Sequence, residues 1–267
     1  MGQLLRDRVR TRLVGGVGTL TLARPDAGNA LDLAMVEAMR DGVAELLGDP
    51  ALRVLRLDAE GSAFCVGGDL AEFAGVADPS AHVAAVAAAA HAALDRVRAA
   101  SVPVVCVVQG AAAGGGLGVA LAGDVVLVGR RARLRVAYTA AGLSPDCGVS
   151  AHLARAFGPA RAMDLALTNR TLTAEQAEAW GLVSRVVEDD ELAATGDALV
   201  EQLASGSAPA LAATKALLRA APDRSWADQL DAEAASIAAL AGAADGREGV
   251  AAFLGKRRPR FAADPVA

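Results

Sequence analysis

Two glycine-rich stretches carry the clearest chemical potential in this chain. One is Ser62-Ala63-Phe64-Cys65-Val66-Gly67-Gly68-Asp69-Leu70, and the other is Gln109-Gly110-Ala111-Ala112-Ala113-Gly114-Gly115-Gly116-Leu117-Gly118. Consecutive glycines let a backbone approach a ligand closely and turn N–H groups towards it. The second stretch follows a β-branched run and opens a helix, where free N–H groups favour negative charge. It lacks the Gly-Lys-Ser/Thr of a phosphate-binding P-loop and does not fit the dinucleotide pattern GxGxxG. Alone, each stretch also fits an ordinary strand-to-helix loop or a close helix packing. As a pair, each following a strand of one sheet, they can offer two N–H donors to a single oxygen, which is an oxyanion hole. A carboxylate, Asp146, stands in the turn Gly142-Leu143-Ser144-Pro145-Asp146-Cys147-Gly148. An Asp after Pro in a Gly-bounded turn is also common turn chemistry.

The elements that must hold these groups can be read from the pattern around them. Residues 9–14 and 17–23 flank Gly15-Gly16 and predict a β-hairpin. Asp32 predicts an N-cap, followed by Leu33, Val36, Met39, Val43 and Leu46 near helical spacing. Residues 52–57 predict a strand, 60–69 a loop and 81–99 an Ala-rich helix. The run 104–108 predicts a buried strand that delivers the second glycine stretch, with further strands at 125–128, 134–136 and 184–187. Alternating strands and helices imply an α/β core with parallel strands. Helices dominate from Ala151, and Arg219 to Ser225, with Pro222, separates two of them.

Composition narrows the function classes. The chain has 267 residues, 54% hydrophobic and 21% charged, enough for a large core. A net charge of −5 argues against a nucleic-acid face. Residues 99–123 carry no charge and are long enough to cross a bilayer, but Pro103, Gln109 and the glycines divide them into strand, turn and short helix. No membrane span is expected. Cys65, Cys106 and Cys147 form no CxxC and are odd in number, so neither a disulfide framework nor a metal site is expected, and a reducing cytoplasm is. The opening MGQLLRDRVR is charged from its sixth residue, unlike a signal peptide.

Several segments resemble the enoyl-CoA hydratase/isomerase (crotonase) family. SAFCVGGDL and AAAGGGLGVALAGD resemble its two oxyanion loops, and ARPDAGNAL its N-terminal signature. LTNRTLTAEQAEAWGLVSRVV resembles its interdomain segment, and EGVAAFLGKRRPRF its C-terminal helix. The resemblance spans nearly the whole chain. It implies an α/β fold with a ββα spiral core over residues 1–200 and a C-terminal helical trimerisation region over 201–267. It implies a homotrimer or a dimer of trimers acting on an acyl-CoA thioester, with coenzyme A part of the substrate and no separate cofactor. By the same resemblance Gly68 and Gly115 supply the oxyanion N–H groups, and Ala63, Val66, Gly67, Asp69 and Leu70 lie along coenzyme A. Phe253 and Lys256 would reach the coenzyme A of a neighbouring subunit; Lys256 as a compact charge suits a phosphate. The basic run KRRPR also fits a solvated surface.

The family's hydratases use two glutamates, and their positions fall here on Gly118 and Tyr138. Asp146 falls where the dienoyl-CoA and ring-1,2-epoxyphenylacetyl-CoA isomerases carry a catalytic carboxylate. Double-bond or ring isomerisation with Asp146 as acid and base is therefore the expected reaction. A second reading follows from similarity to 4-chlorobenzoyl-CoA dehalogenase, with Asp146 as nucleophile, His91 as base and Tyr138 in the place of a Trp. A third is a catalytically silent acyl-CoA-binding scaffold. His91 also fits the polar side of its Ala-rich helix, and Tyr138 fits either a substrate contact or pocket filling.

Overall fold

The computed structural model describes residues 4–6 and 8–261. Residues 1–3 and 7 of the charged opening, and 262–267 of the C-terminal region, lie outside the described residues.

Strand β1 (Leu4–Arg6) pairs antiparallel with β2 (Val9–Val14), which returns through Gly15-Gly16 into β3 (Val17–Leu22). Both glycines have positive φ, 58° and 80°, as a two-residue hairpin requires. Helix α1 (Leu33–Leu47) begins at Asp32, whose side chain accepts from the Met35 N–H at 2.7 Å. Such a cap is worth about 1 kcal/mol, and the same carboxylate pairs with Arg8 and Arg24 at 3.1 Å each.

Strand β4 (Val54–Ala59) leads through the loop 60–69 to α2 (Leu70–Gly75) and α3 (Pro79–Ala99). It starts two residues later than the sequence predicts, because Leu52 is still held in the preceding turn by its N–H to Asp49 O. Next come β5 (Val104–Val108), β6 (Ala111–Ala113), α4 (Gly115–Ala120), β7 (Val125–Gly129) and β8 (Arg133–Arg135). Then follow α5 (Val149–Thr168), β9 (Leu172–Thr173), α6 (Ala174–Ala179), β10 (Arg185–Val187) and α7 (Leu192–Ala204). Helices α8 (Ala208–Ala220), α9 (Trp226–Gly242) and α10 (Ala244–Leu254) complete the described chain.

The main sheet runs in the order β1-β2-β3-β4-β5-β7-β10, parallel from β3 onward, and β6-β8-β9 form a small second sheet. All five residues of β5 are buried. Val104, Cys106 and Val108 join the large core under α1 and α3, whereas Val105 and Val107 join Leu192, Leu199 and Val200 of α7 on the other face. A strand covered on both faces must be apolar throughout, and that explains its unbroken hydrophobic run. The uncharged stretch 99–123 becomes β5, β6 and α4 inside this fold. Among the described residues no helix is long and apolar enough to cross a membrane.

Helix α7 spans residue 200 and packs on the sheet, so the chain leaves the sheet between α7 and α8. Lys215 on α8 ties that helix back to the core through Val102 O and Asp124, both at 2.7 Å. Beyond it, α9 and α10 present exposed apolar side chains, among them Trp226, Ile237, Phe253 and Leu254.

Candidate active site

The two glycine stretches are strapped together by backbone hydrogen bonds. The N–H groups of Phe64 and Cys65 donate to Ala111 O, and the Ala113 N–H donates to Cys65 O. Phe64 is fully buried and anchors the first loop in the core. Asn29, buried and with φ 56°, donates through Nδ2 to Glu60 O and Ala63 O. Gly67 has φ +98°, and a Cβ there would sit 2.8 Å from Ala113 O, so only glycine lets the loops approach this closely.

This strapping brings Gly68 and Gly115 to one cavity of about 250 Å³. Neighbouring N–H groups are used: Asp69 donates to Leu31 O and Gly114 to Arg135 O. The N–H groups of Gly68 and Gly115 have no acceptor among the described residues. Gly115 is buried, and a buried N–H without a partner costs about 1–3 kcal/mol, which an incoming oxygen removes. Gly115 is also the first residue of α4, where the helix favours negative charge.

Opposite these donors lies the turn that carries Asp146. Tyr138 donates through its hydroxyl to Asp146 Oδ1 at 2.5 Å. Asp146 Oδ2 lies 3.9 Å from Nε2 of His91, on α3. That same Nε2 accepts the Cys147 N–H at 3.2 Å, which assigns the ring proton of a neutral His91 to Nδ1. Ala137 and Cys147, next to Tyr138 and Asp146 respectively, have φ of 63° and 49°. Left-handed backbone at non-glycine residues is held only by its surroundings, and it clusters at functional sites. Burial first, and then the Asp146 carboxylate, pushes the Tyr138 hydroxyl well above its ordinary range. The same two causes, in the same order, raise the Cys147 thiol.

The rest of the cavity is mostly apolar, lined by Leu31, Phe73, Val83, Val86 and Leu143 with Ser144 at one side, and Ala87 and Ala90 of α3 leave it room. Among its lining residues Asp146 is the one carboxylate. His91, Asp146 and Cys147 place metal-ligand atoms within 4.8 Å of one another. Two of these groups already have partners, His91 Nε2 an N–H and Asp146 Oδ1 a hydroxyl, and burial raises the Cys147 thiol.

The hydratase position Gly118 is closed by packing. A Cβ there would lie 2.4 Å from Cys147 O and 2.6 Å from Cys147 Cβ. The turn that presents Asp146 therefore occupies the space a glutamate side chain would need.

Of the residues expected along coenzyme A, Val66, Gly67 and Leu70 line the cavity, and Ala63 and Asp69 belong to the same loop. Asp69 caps α2 through the Ala71 and Glu72 N–H groups and pairs with Arg24 at 2.7 Å, which holds its carboxyl below the usual range. Phe253 and Lys256 stand at the end of α10, exposed and outside this cavity. Part of the basic run is used within the chain: Arg257 makes a two-pronged contact with Glu248, pulling that carboxyl down to about 2. Sequence reasoning missed the Tyr138–Asp146 contact and the bond from Cys147 to His91. Helical spacing of the small residues in α3 was the one signal for the cavity wall.

The model of the family described as enoyl-CoA hydratase/isomerase matches residues 12–264. The chain belongs to that family. It is 38% identical to the 1,2-epoxyphenylacetyl-CoA isomerase of Escherichia coli over 251 residues, covering 92% of this chain and 95% of that protein. It is 33% identical to the trans-2-decenoyl-[acyl-carrier-protein] isomerase of Streptococcus mutans, over 92% of this chain and 94% of that protein. A crystal structure of an enoyl-CoA hydratase from Polaromonas sp. JS666 superposes with a TM-score of 0.89 at 31% identity, covering 95% of this chain and 99% of that one. Hydratases and isomerases thus share the fold, and the side chains around the cavity must separate them.

The close approach at Gly118 gives a direct test. Gly118→Ala should push the Asp146–Cys147 turn out of place and lower turnover of a CoA thioester substrate by roughly 100-fold, the cost of a misplacement near 1 Å. Circular dichroism should show a retained fold. Unchanged turnover would mean that this turn does not set the rate.

Proposed function

We propose that this protein is an acyl-CoA isomerase of the family, carrying out double-bond or ring isomerisation with Asp146 as acid and base. The observation that carries the reading is that one carboxylate faces a cavity which also holds two unused N–H donors. The thioester carbonyl oxygen would sit between the Gly68 and Gly115 N–H groups. Its polarisation acidifies the α-carbon, and the same donors stabilise the enolate formed when that proton leaves. Asp146 takes the proton from one carbon and returns it to another. Nothing is consumed, so the balance needs no co-reactant, and coenzyme A enters only as part of the substrate. Two-glutamate hydration is disfavoured because Gly118 has no room for a side chain and Tyr138 replaces the second acid. The isomerase names of two relatives support the same choice.

Aryl-CoA hydrolysis, with Asp146 as nucleophile and His91 as base, uses the same neighbours. His91 lies close enough, but its Nε2 lone pair is taken by the Cys147 N–H. His91 serves better as a brace for the catalytic turn than as a base.

The exposed apolar residues of α9 and α10 support assembly into a trimer or a dimer of trimers, with Phe253 and Lys256 reaching a neighbour's coenzyme A. Patches of this kind in a free chain mark a contact surface. Light scattering at micromolar concentration should give at least three times the mass of one chain; a monomer would contradict the assembly.

The reaction itself is tested at Asp146. Asp146→Asn should lower isomerisation of an enoyl- or epoxyphenylacetyl-CoA by about 100- to 10,000-fold, with CoA binding retained and exchange of the substrate's α-protons into heavy water lost. His91→Gln should change turnover little, because the amide oxygen can accept the Cys147 N–H. A stable aryl ester on Asp146 in His91→Gln would favour the hydrolytic reading. CoA binding without turnover of any such thioester would favour a silent scaffold.

A further inference from the structure

We propose that Tyr138 is a positioning residue for Asp146: it holds one carboxylate oxygen and fixes which one accepts the proton. The inference rests on the isomerase reading above and assigns a task to a side chain which that reading leaves without one.

The chain returns on itself to make the contact. Tyr138 O accepts from the Ala141 and Leu143 N–H groups, closing the turn, and Asp146 comes back eight positions later onto the Tyr138 hydroxyl. Left-handed residues Ala137 and Cys147 hold the two outer ends of this segment. Tyr138 is 9% exposed, so its hydroxyl has little water to bond instead. Its hydroxyl is pushed further from ionisation and is already committed to Asp146, so it acts as a neutral donor and not as the acid.

The two carboxylate oxygens are thereby made unequal. Oδ1 is the one that Tyr138 holds, and it lies 3.7 Å from where a Cβ of Gly115 would stand. It is thus the oxygen on the side of the oxyanion donors. Oδ2, 3.9 Å from His91 Nε2, is the oxygen that the Tyr138 hydroxyl does not hold and the one left to take the substrate proton. A hydroxyl on Oδ1 lowers the carboxylate's freedom to rotate, so Asp146 takes up and returns the proton from one fixed position. A charge-assisted hydrogen bond of this geometry is among the stronger ones in proteins.

Tyr138 is the chain's only tyrosine, so fluorotyrosine fed to the producing cells alters this hydroxyl alone. Tyr138→Phe keeps the ring and removes the donor. It should lower kcat roughly 10- to 100-fold with KM changed less than about twofold. 3-Fluorotyrosine, which keeps the donor in nearly the same shape, should leave kcat close to that of the unmodified protein. Its ¹⁹F resonance should shift in Asp146→Asn. A Phe variant with unchanged kcat, or a fluorine signal indifferent to Asp146→Asn, overturns the proposal. If Phe fails to fold, the fluorotyrosine protein still decides it. Asp146→Asn measured alongside separates the two levels. A dead Asn variant with an unaffected Phe variant refutes Tyr138 alone, and an active Asn variant refutes the isomerase reading itself.

Discussion

The site depends on a backbone strap between two loops that are distant in sequence. Phe64 and Cys65 donate to Ala111 O, and Ala113 donates back to Cys65 O. Side-chain chemistry has no part in that strap, yet it sets where the Gly68 and Gly115 N–H groups stand. The sheet supplies both ends: β4 delivers the first loop, and β5, buried on both faces, delivers the second. Donors mounted this way need little reorganisation as charge develops, which is the basis of oxyanion stabilisation. The strap also explains the glycines, because at Gly67 a Cβ would strike the facing strand.

A second constraint competes for the same space. The turn presenting Asp146 lies against Gly118 so closely that Cys147 fills the volume a side chain there would need. A glutamate at 118 and this turn exclude one another. The fold is shared by hydratases and isomerases, and under the isomerase proposal this one contact would decide which acid can reach the substrate. His91 and Tyr138 then brace the turn from α3 and from its own start. Backbone strain at Ala137 and Cys147 is tolerated because both ends are held.

Local signals in the sequence were legible where one residue type fixes the geometry. Gly15-Gly16 foretold the hairpin, Asp32 the start of α1, and the β-branched run the strand β5. The sheet β6-β8-β9 was not foreseen, because Ala111–Ala113 has no strand pattern and is extended by its pairing with β8, far along the chain. The start of β4 was misplaced because the turn hydrogen bond at Asp49 is invisible in composition. At the site, the motifs located Gly68, Gly115 and Asp146, while the partner of Tyr138 needed three dimensions. A lone Tyr eight residues before an Asp carries no signal until the turn folds back. His91 was legible as a neighbour of Asp146, but the backbone N–H that occupies its nitrogen was not.

The central claim is that the Gly68 and Gly115 N–H groups polarise a thioester carbonyl. It is tested most directly by carbon NMR of an unreactive acyl-CoA labelled with ¹³C at the carbonyl, bound to the protein. The account predicts a downfield shift of the bound carbonyl relative to free thioester, reduced in Gly115→Pro, which removes one donor. A bound carbonyl resonating where the free one does, or a shift untouched by Gly115→Pro, would contradict it.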